Sequence, residues 1–280
     1  MLNRVALRER LTLFYNEDVG TGDVSAQSIF DEQTNGSMDI IAKDDGIFCG
    51  RPVIEEGFRL EQTDVNIDCF VEDGDRIERG DVVARLHGPV RTLLTTERLV
   101  LNCIQRMSAI ATETARLVRL MNSETTKLAD TRKTMPGFRM LDKYAVRVGG
   151  GHNHRYGLYD AVMLKDNHIA FAGSIADAVA RAREAVGHTV PIEVEIETKE
   201  QLLEAIDAHP DIIMFDNRTP EEIIDWIELV PETIRTEASG MITEETIAEY
   251  GKTGVDYISV GALTHSVRAF DFSANVTVKD

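Results

Sequence analysis

From Lys127 onward the chain alternates short apolar runs with helical stretches, and this alternation constrains the fold more than any other feature. Six runs read as strands: KLADT (127–131), AVMLKD (161–166), IEVEIE (192–197), IIMFDN (212–217), RTEAS (235–239) and YISVG (257–261). Helices are expected between them, and four open on capping signals. Ser174 has Asp177 three residues on, Thr198 has Gln201, Thr219 has Pro220 and Glu222, and Thr243 leads TEETIAEY. Repeated β–α units dictate a parallel sheet, open or closed into a barrel. Most of the runs end in polar or small residues: Asp130, Arg132 and Lys133; Lys165 and Asp166; Glu195; Asp216 and Asn217; Ser239; Gly261. Polar groups at the C-terminal ends of many strands converge on one mouth, which favours an α/β barrel. With about six strands, that barrel is expected to be incomplete.

The N-terminal part reads differently. Before residue 105, runs such as MDIIA (38–42), VNIDCF (65–70) and VVARLHG (82–88) sit between DDG, EDGD and RGD turn signals. They predict an α+β domain over 1–105 and a barrel over 106–267. Arg91 to Met121 carries apolar residues at helical spacing without Pro or Gly, so a long helix links the two parts. VEDGDRIERGDVVARLHG has the outline of half a hammerhead carrier domain but lacks the carrier Lys. Gly149 to Gly151 are expected to precede a strand.

Charge poses a puzzle. Asp and Glu total 48 against 30 Lys and Arg, a net charge of -18, and only eight of the 30 are Lys. Such a surface suits a high-salt cytoplasm, and a halophilic source is the expectation. It argues against nucleic acid as a partner. Yet the segment 128–168 gathers Arg132, Lys133, Arg139, Lys143, Arg147, His152, His154, Arg155, Lys165 and His168. Cations gathered at a barrel mouth predict a ligand with several negative charges, phosphates or carboxylates. Glu195 and Asp216 end consecutive strands, and Glu193 shares a strand face with Glu195. Such acids could hold Mg²⁺ with a phosphate ester, or could simply neutralise Lys165 and Arg132. HNH (152–154) is a poor zinc signal. EASGMI and ISVGALTHS put small residues after strands, where backbone N–H groups can face phosphate. Cys49, Cys69 and Cys103 show no CxxC spacing, so neither a disulfide framework nor zinc is expected. No apolar run is long enough to span a bilayer and no signal peptide is evident, so a cytoplasmic location with no membrane partner is expected.

Taken in order, EDVGTGDVS (17–25), TTERLVLNCIQRMSAIAT (95–112), the block from Asp130 to Ile169, EVEIE, MFDN, EASGMI and ISVGALTHS resemble the quinolinate phosphoribosyltransferases over nearly the whole chain. The resemblance implies an α/β protein with an N-terminal α/β sandwich, an open barrel and a tail at 268–280 that returns to the first domain. It also implies a homodimer or a dimer-built hexamer with a shared active site. The implied substrates are quinolinate and phosphoribosyl pyrophosphate, giving nicotinate mononucleotide, pyrophosphate and CO₂ for NAD biosynthesis. The implied binding residues are Arg98 from the neighbouring subunit, Thr131, Arg132, Lys133, His154, Arg155, Lys165, Glu195, Asp216, Ser239, Gly240 and Gly261. Lys165, Glu195 and Asp216 are the implied catalytic groups. Glu195 and Asp216 are the implied acidic pair for Mg²⁺, the one cofactor, held mainly through the phosphoribosyl pyrophosphate. Two positions depart from the family pattern: Met241 stands where a second Gly is usual, and His152 where Val is common. On the residues alone, two other readings stay open. Lys165 could form a Schiff base in an aldolase, and the chain could be a non-catalytic binding protein of a molybdenum-transport branch.

Overall fold

A computed structural model describes residues 2–277. In chain order the elements are α1 (Arg4–Val19), α2 (Val24–Ile29), β1 (Asn35–Ala42), β2 (Gly46–Ile47), α3 (Arg51–Gly57), β3 (Asn66–Cys69), β4 (Arg76–Ile77) and β5 (Val82–Pro89). The long helix α4 (Val90–Met121) comes next, then β6 (Lys127–Ala129), α5 (Arg139–Val148), β7 (Val162–Leu164), α6 (Asp166–Ala172) and α7 (Ile175–Ala185). The chain ends with β8 (Ile192–Ile196), α8 (Lys199–Ala208), β9 (Ile212–Asp216), α9 (Pro220–Ile227), β10 (Arg235–Ser239), α10 (Ile247–Tyr250), β11 (Tyr257–Ser259), α11 (Ala262–His265) and β12 (Phe272–Thr277). No helix among the described residues is long and apolar enough to cross a membrane.

Two compact units result. The first comprises Met1–Glu113, Met135–Gly150 and Ser266–Asp280, and the second Thr114–Thr134 and Gly151–His265. The first unit carries a four-stranded antiparallel sheet in the order β12-β1-β5-β3, with β2 and β4 paired apart from it. Strand β1 alternates exposed or half-buried with buried residues, so Met38, Ile40 and Ala42 enter the core, with Leu86 opposite Met38 and Ala84 opposite Ile40. The described part of the 268–280 tail forms β12 and pairs with β1 from Ser37↔Thr277 to Ala42↔Phe272. Residues 278–280 lie outside the described residues.

The units reflect packing rather than sequence order, so the division differs from a single cut at residue 105. Helix α5 belongs with the first unit because three contacts fasten the segment 135–150 to it. Arg106 forks onto Asp142 at 2.7 and 2.8 Å, Phe14 stacks on Phe138 at 4.8 Å, and the Tyr144 hydroxyl donates to Asp73 at 2.6 Å. Asp142 is fully buried, and burial raises its carboxyl pKa even against the opposing pull of Arg106. Breaking a buried pair from one side leaves a charge without its counter-ion, at a cost of about 3–5 kcal/mol. Arg106→Ala is therefore expected to lower the unfolding free energy by about that amount in urea titration. A loss below about 1 kcal/mol would show the pair to be dispensable.

The second unit is a six-stranded, all-parallel sheet in the order β6-β11-β10-β9-β8-β7. The expected strands coincide with these six. Among the described residues β6 and β7 are the edges of this sheet, and a single bridge from Ala129 to His152 extends the β6 edge. Along each strand one face is apolar: Leu128, Leu164, Val194, Ile213, Phe215, Ala238 and Ile258 are buried there. Each fully buried Leu, Ile or Phe side chain contributes about 1.5–3 kcal/mol. The expected caps form at Ser174, Thr198 and Thr219. Two local expectations are corrected. Helix α10 starts at Ile247 rather than after Thr243, because residues 243–246 close a turn in which the Thr243 N–H donates to Thr246 Oγ1 at 3.0 Å. Gly149 caps α5, and the three glycines lead into an isolated bridge at His152 rather than a strand.

Candidate active site

The opposite face of the barrel strands carries the chemistry. Period two puts Met163, Glu193, Glu195, Met214, Asp216, Glu237, Ser239 and Ser259 on that face. The register aligns Glu195 with Met214 and Glu237, and aligns Asp216 with Ser239 and Ser259 at the C-terminal ends. Parallel strands buried on both faces are usually continuous apolar runs. The IEVEI pattern breaks that rule because its second face lines a cavity.

That cavity measures about 470 Å³, and its lining includes Thr131, Arg132, Lys133, His154, Arg155, Lys165, Glu195, Asp216, Ser239 and Gly240. Ten of the twelve residues expected at the site therefore come together, all within the barrel unit. Gly261 is outside the lining but abuts it: a Cβ there would stand 3.0 Å from Lys133 Cδ. Arg98 belongs to the first unit, on α4, with its side chain 60% exposed.

The cations sit after β6 and before β7. Asp130, fully buried, accepts the His154 N–H at 2.9 Å and the Asn153 side chain at 2.6 Å, which ties the 152–155 segment to the end of β6. Arg155 donates to Ala161 O at 3.1 Å. Its guanidinium pKa is lowered, first by burial and then by the nearby charge of Arg132. Arg132 Nε is buried without a hydrogen-bond partner among the described residues. Two guanidiniums held close with a donor unspent form a cradle for an anion.

The acids face them from β8 and β9. Lys165 Nζ pairs directly with Glu195. Burial raises the Glu195 carboxyl pKa, Lys165 opposes that, and the charge of Asp216 adds to it. Burial likewise raises Asp216, with Lys165 again opposing. Asp216 also accepts the Asn217 amide at 2.6 Å. Past β10 the backbone bends through positive φ at Gly240 (90°) and Met241 (52°). A side chain at 240 would run into the Asn217 side chain and stand 3.0 Å from its backbone nitrogen, so only Gly fits. Met241 adopts the left-handed conformation with its side chain 80% exposed at the cavity rim.

Beneath the mouth lies a second polar layer that the strand-end pattern does not reveal. His154 Nε2 is 3.1 Å from Glu193 Oε2 and 3.6 Å from Glu237 Oε1. Both glutamates are almost wholly buried. Burial, reinforced by the Glu193 charge, pushes the Glu237 carboxyl up to about 7. The signal is present in the spacing, since Glu193 precedes Glu195 by two residues and Glu237 precedes Ser239 by two. Asp130 and Asn217 likewise show in the sequence only as strand ends.

The raised Glu237 has a consequence for stability. Folded protein keeps a proton on this group between about 4.5, the ordinary value, and about 7, where the unfolded chain has lost it. Its contribution is full at low pH and fades as pH rises through that window. Glu237→Gln is expected to flatten the fall of Tm between about pH 5 and pH 8 relative to the parent. Identical slopes in a thermal-melt series would refute the assignment.

Against known proteins the likeness runs the length of the chain. The domain model described as quinolinate phosphoribosyl transferase, C-terminal domain, matches residues 110–275, and the corresponding N-terminal domain matches 23–108. A Bacillus subtilis (strain 168) protein named a probable nicotinate-nucleotide pyrophosphorylase (carboxylating) is 53% identical over 279 residues, covering 100% of this chain and 96% of its own. A Methanocaldococcus jannaschii protein of the same name is 41% identical over 268 residues, covering 92% and 93%. The crystal structure of NadC from Streptococcus pyogenes superposes with a TM-score of 0.95 at 41% identity, covering 100% of this chain and 99% of that one. With its two domain models in order and its cavity at the C-terminal ends of an open barrel, the chain belongs to the quinolinate phosphoribosyltransferase family.

Proposed function

We propose that the chain transfers the phosphoribosyl group of phosphoribosyl pyrophosphate to quinolinate and releases nicotinate mononucleotide, pyrophosphate and CO₂. The observation that carries this reading is the division of one cavity into a cationic side, Arg132, Lys133 and Arg155, and an acidic side, Glu195 and Asp216. A dicarboxylate acceptor suits the first, and a ribose centre gaining positive charge suits the second. The quinolinate ring nitrogen attacks ribose C1′ as the bond to pyrophosphate breaks. The C2–carboxylate bond then breaks, its electron pair stays at C2 beside the pyridinium nitrogen, and C2 takes up a proton.

Among these residues Arg132 and Arg155 orient the carboxylates, and the small residues Ser239 and Gly240 leave backbone room for a phosphate. Glu195 and Asp216 face the charge that develops on ribose. Hard, partly buried carboxylate oxygens also fit Mg²⁺, and Glu195 and Asp216 would hold it together with the phosphoribosyl pyrophosphate. Mg²⁺ held there would supply charge neutralisation for the leaving pyrophosphate. An assay with quinolinate, phosphoribosyl pyrophosphate and Mg²⁺, read as nicotinate mononucleotide formed, tests the whole reading. No product with fresh, folded protein would refute it.

The same reading has Arg98 completing the site of a neighbouring subunit in a dimer. Its exposed side chain on α4 supports this role. Mixing inactive Arg98→Ala and inactive Lys165→Ala subunits is then expected to restore part of the activity. No recovery after verified exchange would make each site self-contained.

A further inference from the structure

His154, Glu193 and Glu237 form a buried cluster in the barrel interior, between the main cavity and a second one of about 440 Å³ lined by all three. Their ligand-type atoms lie within 4.8 Å of one another, which invites comparison with a metal site. The other ring nitrogen argues against metal. His154 Nδ1 accepts the Arg155 N–H at 2.8 Å, so it carries a lone pair and no proton. A metal-bound imidazole has the reverse arrangement, donating through the nitrogen that does not touch the metal. With Nδ1 unprotonated, the ring proton resides on Nε2, which hydrogen-bonds Glu193 Oε1 at 3.4 Å and lies 3.1 Å from Oε2. Both nitrogens are thereby spoken for within the protein.

We propose that Glu193, backed by Glu237, is a positioning residue that fixes His154 as its Nε2–H tautomer, so that the ring meets a bound ligand through its carbon edge. The inference rests on the reading of the cavity as a quinolinate site only for what the ring does to substrate. His154 is then a flat wall beside the acceptor rather than a cation paired with a carboxylate. Carboxylate binding falls to Arg132, Lys133 and Arg155, of which Arg132 still has a donor to give. Glu237 stands behind the pair: its Oε1 is buried, without a hydrogen-bond partner among the described residues, 3.6 Å from the ring nitrogen.

The test reads the ring directly, without substrate. Long-range proton–nitrogen NMR on protein labelled in its seven histidines distinguishes the two neutral tautomers and the imidazolium. A His154→Asn sample assigns the signal. The parent is expected to show His154 with Nδ1 unprotonated and Nε2–H. An imidazolium or an Nδ1–H tautomer in the parent would overturn the proposal whatever any variant does. Glu193→Gln keeps an acceptor oxygen and is expected to keep the tautomer. Glu193→Leu removes it, and is expected to mix the tautomers and raise the quinolinate KM about tenfold, the scale of one lost hydrogen bond to a charged group, with kcat changed less. An unchanged His154 signal in Glu193→Leu would also overturn it. Turnover of quinolinate by the parent is scored separately, so failure of the proposed function and failure of the tautomer lock give different results.

Discussion

Nicotinate offered in place of quinolinate is expected to lose roughly 30-fold to several-thousand-fold in kcat/KM, the cost of leaving one side of a buried charge pair unmet. The cavity holds Arg132 and Arg155 close enough for the first to depress the pKa of the second, and the Nε of Arg132 has no partner among the described residues. An acceptor with two carboxylates satisfies both guanidiniums. One with a single carboxylate leaves a desolvated cation facing nothing. Nicotinamide, with none, is expected to fare worse still. Steady-state comparison of the three acceptors, with phosphoribosyl pyrophosphate and Mg²⁺ fixed, measures the effect. Nicotinate within about tenfold of quinolinate would mean that the guanidinium pair does not select the acceptor.

Neutralising the acids on the far side of the same cavity is expected to act on rate and spare acceptor binding. Glu195→Gln and Asp216→Asn should each lower kcat by about 10²-fold or more, the usual loss when one preorganised electrostatic group is removed. Neither carboxylate gains by touching a dicarboxylate, so the quinolinate Kd should stay within about threefold. Lys165 complicates one arm of the comparison, because Glu195→Gln also releases its ion-pair partner. Asp216→Asn makes no such change and is the cleaner variant. A large loss of quinolinate affinity with kcat intact would place the acids on the acceptor instead.

The barrel was legible because its strands obey a local rule. Apolar runs of near-constant length, closed by polar residues and succeeded by capped helices, leave little freedom in the sheet they build. The mouth was legible for the same reason: Lys165, Glu195 and Asp216 end strands, and a parallel sheet brings such ends together. The deeper layer was harder to read. Glu193 and Glu237 look from sequence like the polar half of an amphipathic strand, and only the assembled sheet puts that half into an interior layer. The ring state of His154 depends on a backbone N–H one residue away and a carboxylate on another strand, and no spacing encodes that pair. The place of α5 in the first unit escaped for a third reason. Its anchors to Asp73, Arg106 and Phe14 are long-range and involve residue types that are just as common on a surface.

The pairing of β12 with β1 has a consequence for how the protein is made. Strand β1 is central to its sheet only when β12 covers its outer edge, and β12 comes after every residue of the barrel in the chain. A ribosome therefore delivers the first sheet with one flank open and must complete the entire barrel before the covering strand exists. Throughout that interval the edge of Asn35–Ala42 presents unpaired N–H and C=O groups, with Met38 and Ile40 beside them, as a template for any passing strand. Non-local pairing of this kind forms late and slowly. The two units are thus joined in biogenesis: the first to be started is the last to be finished.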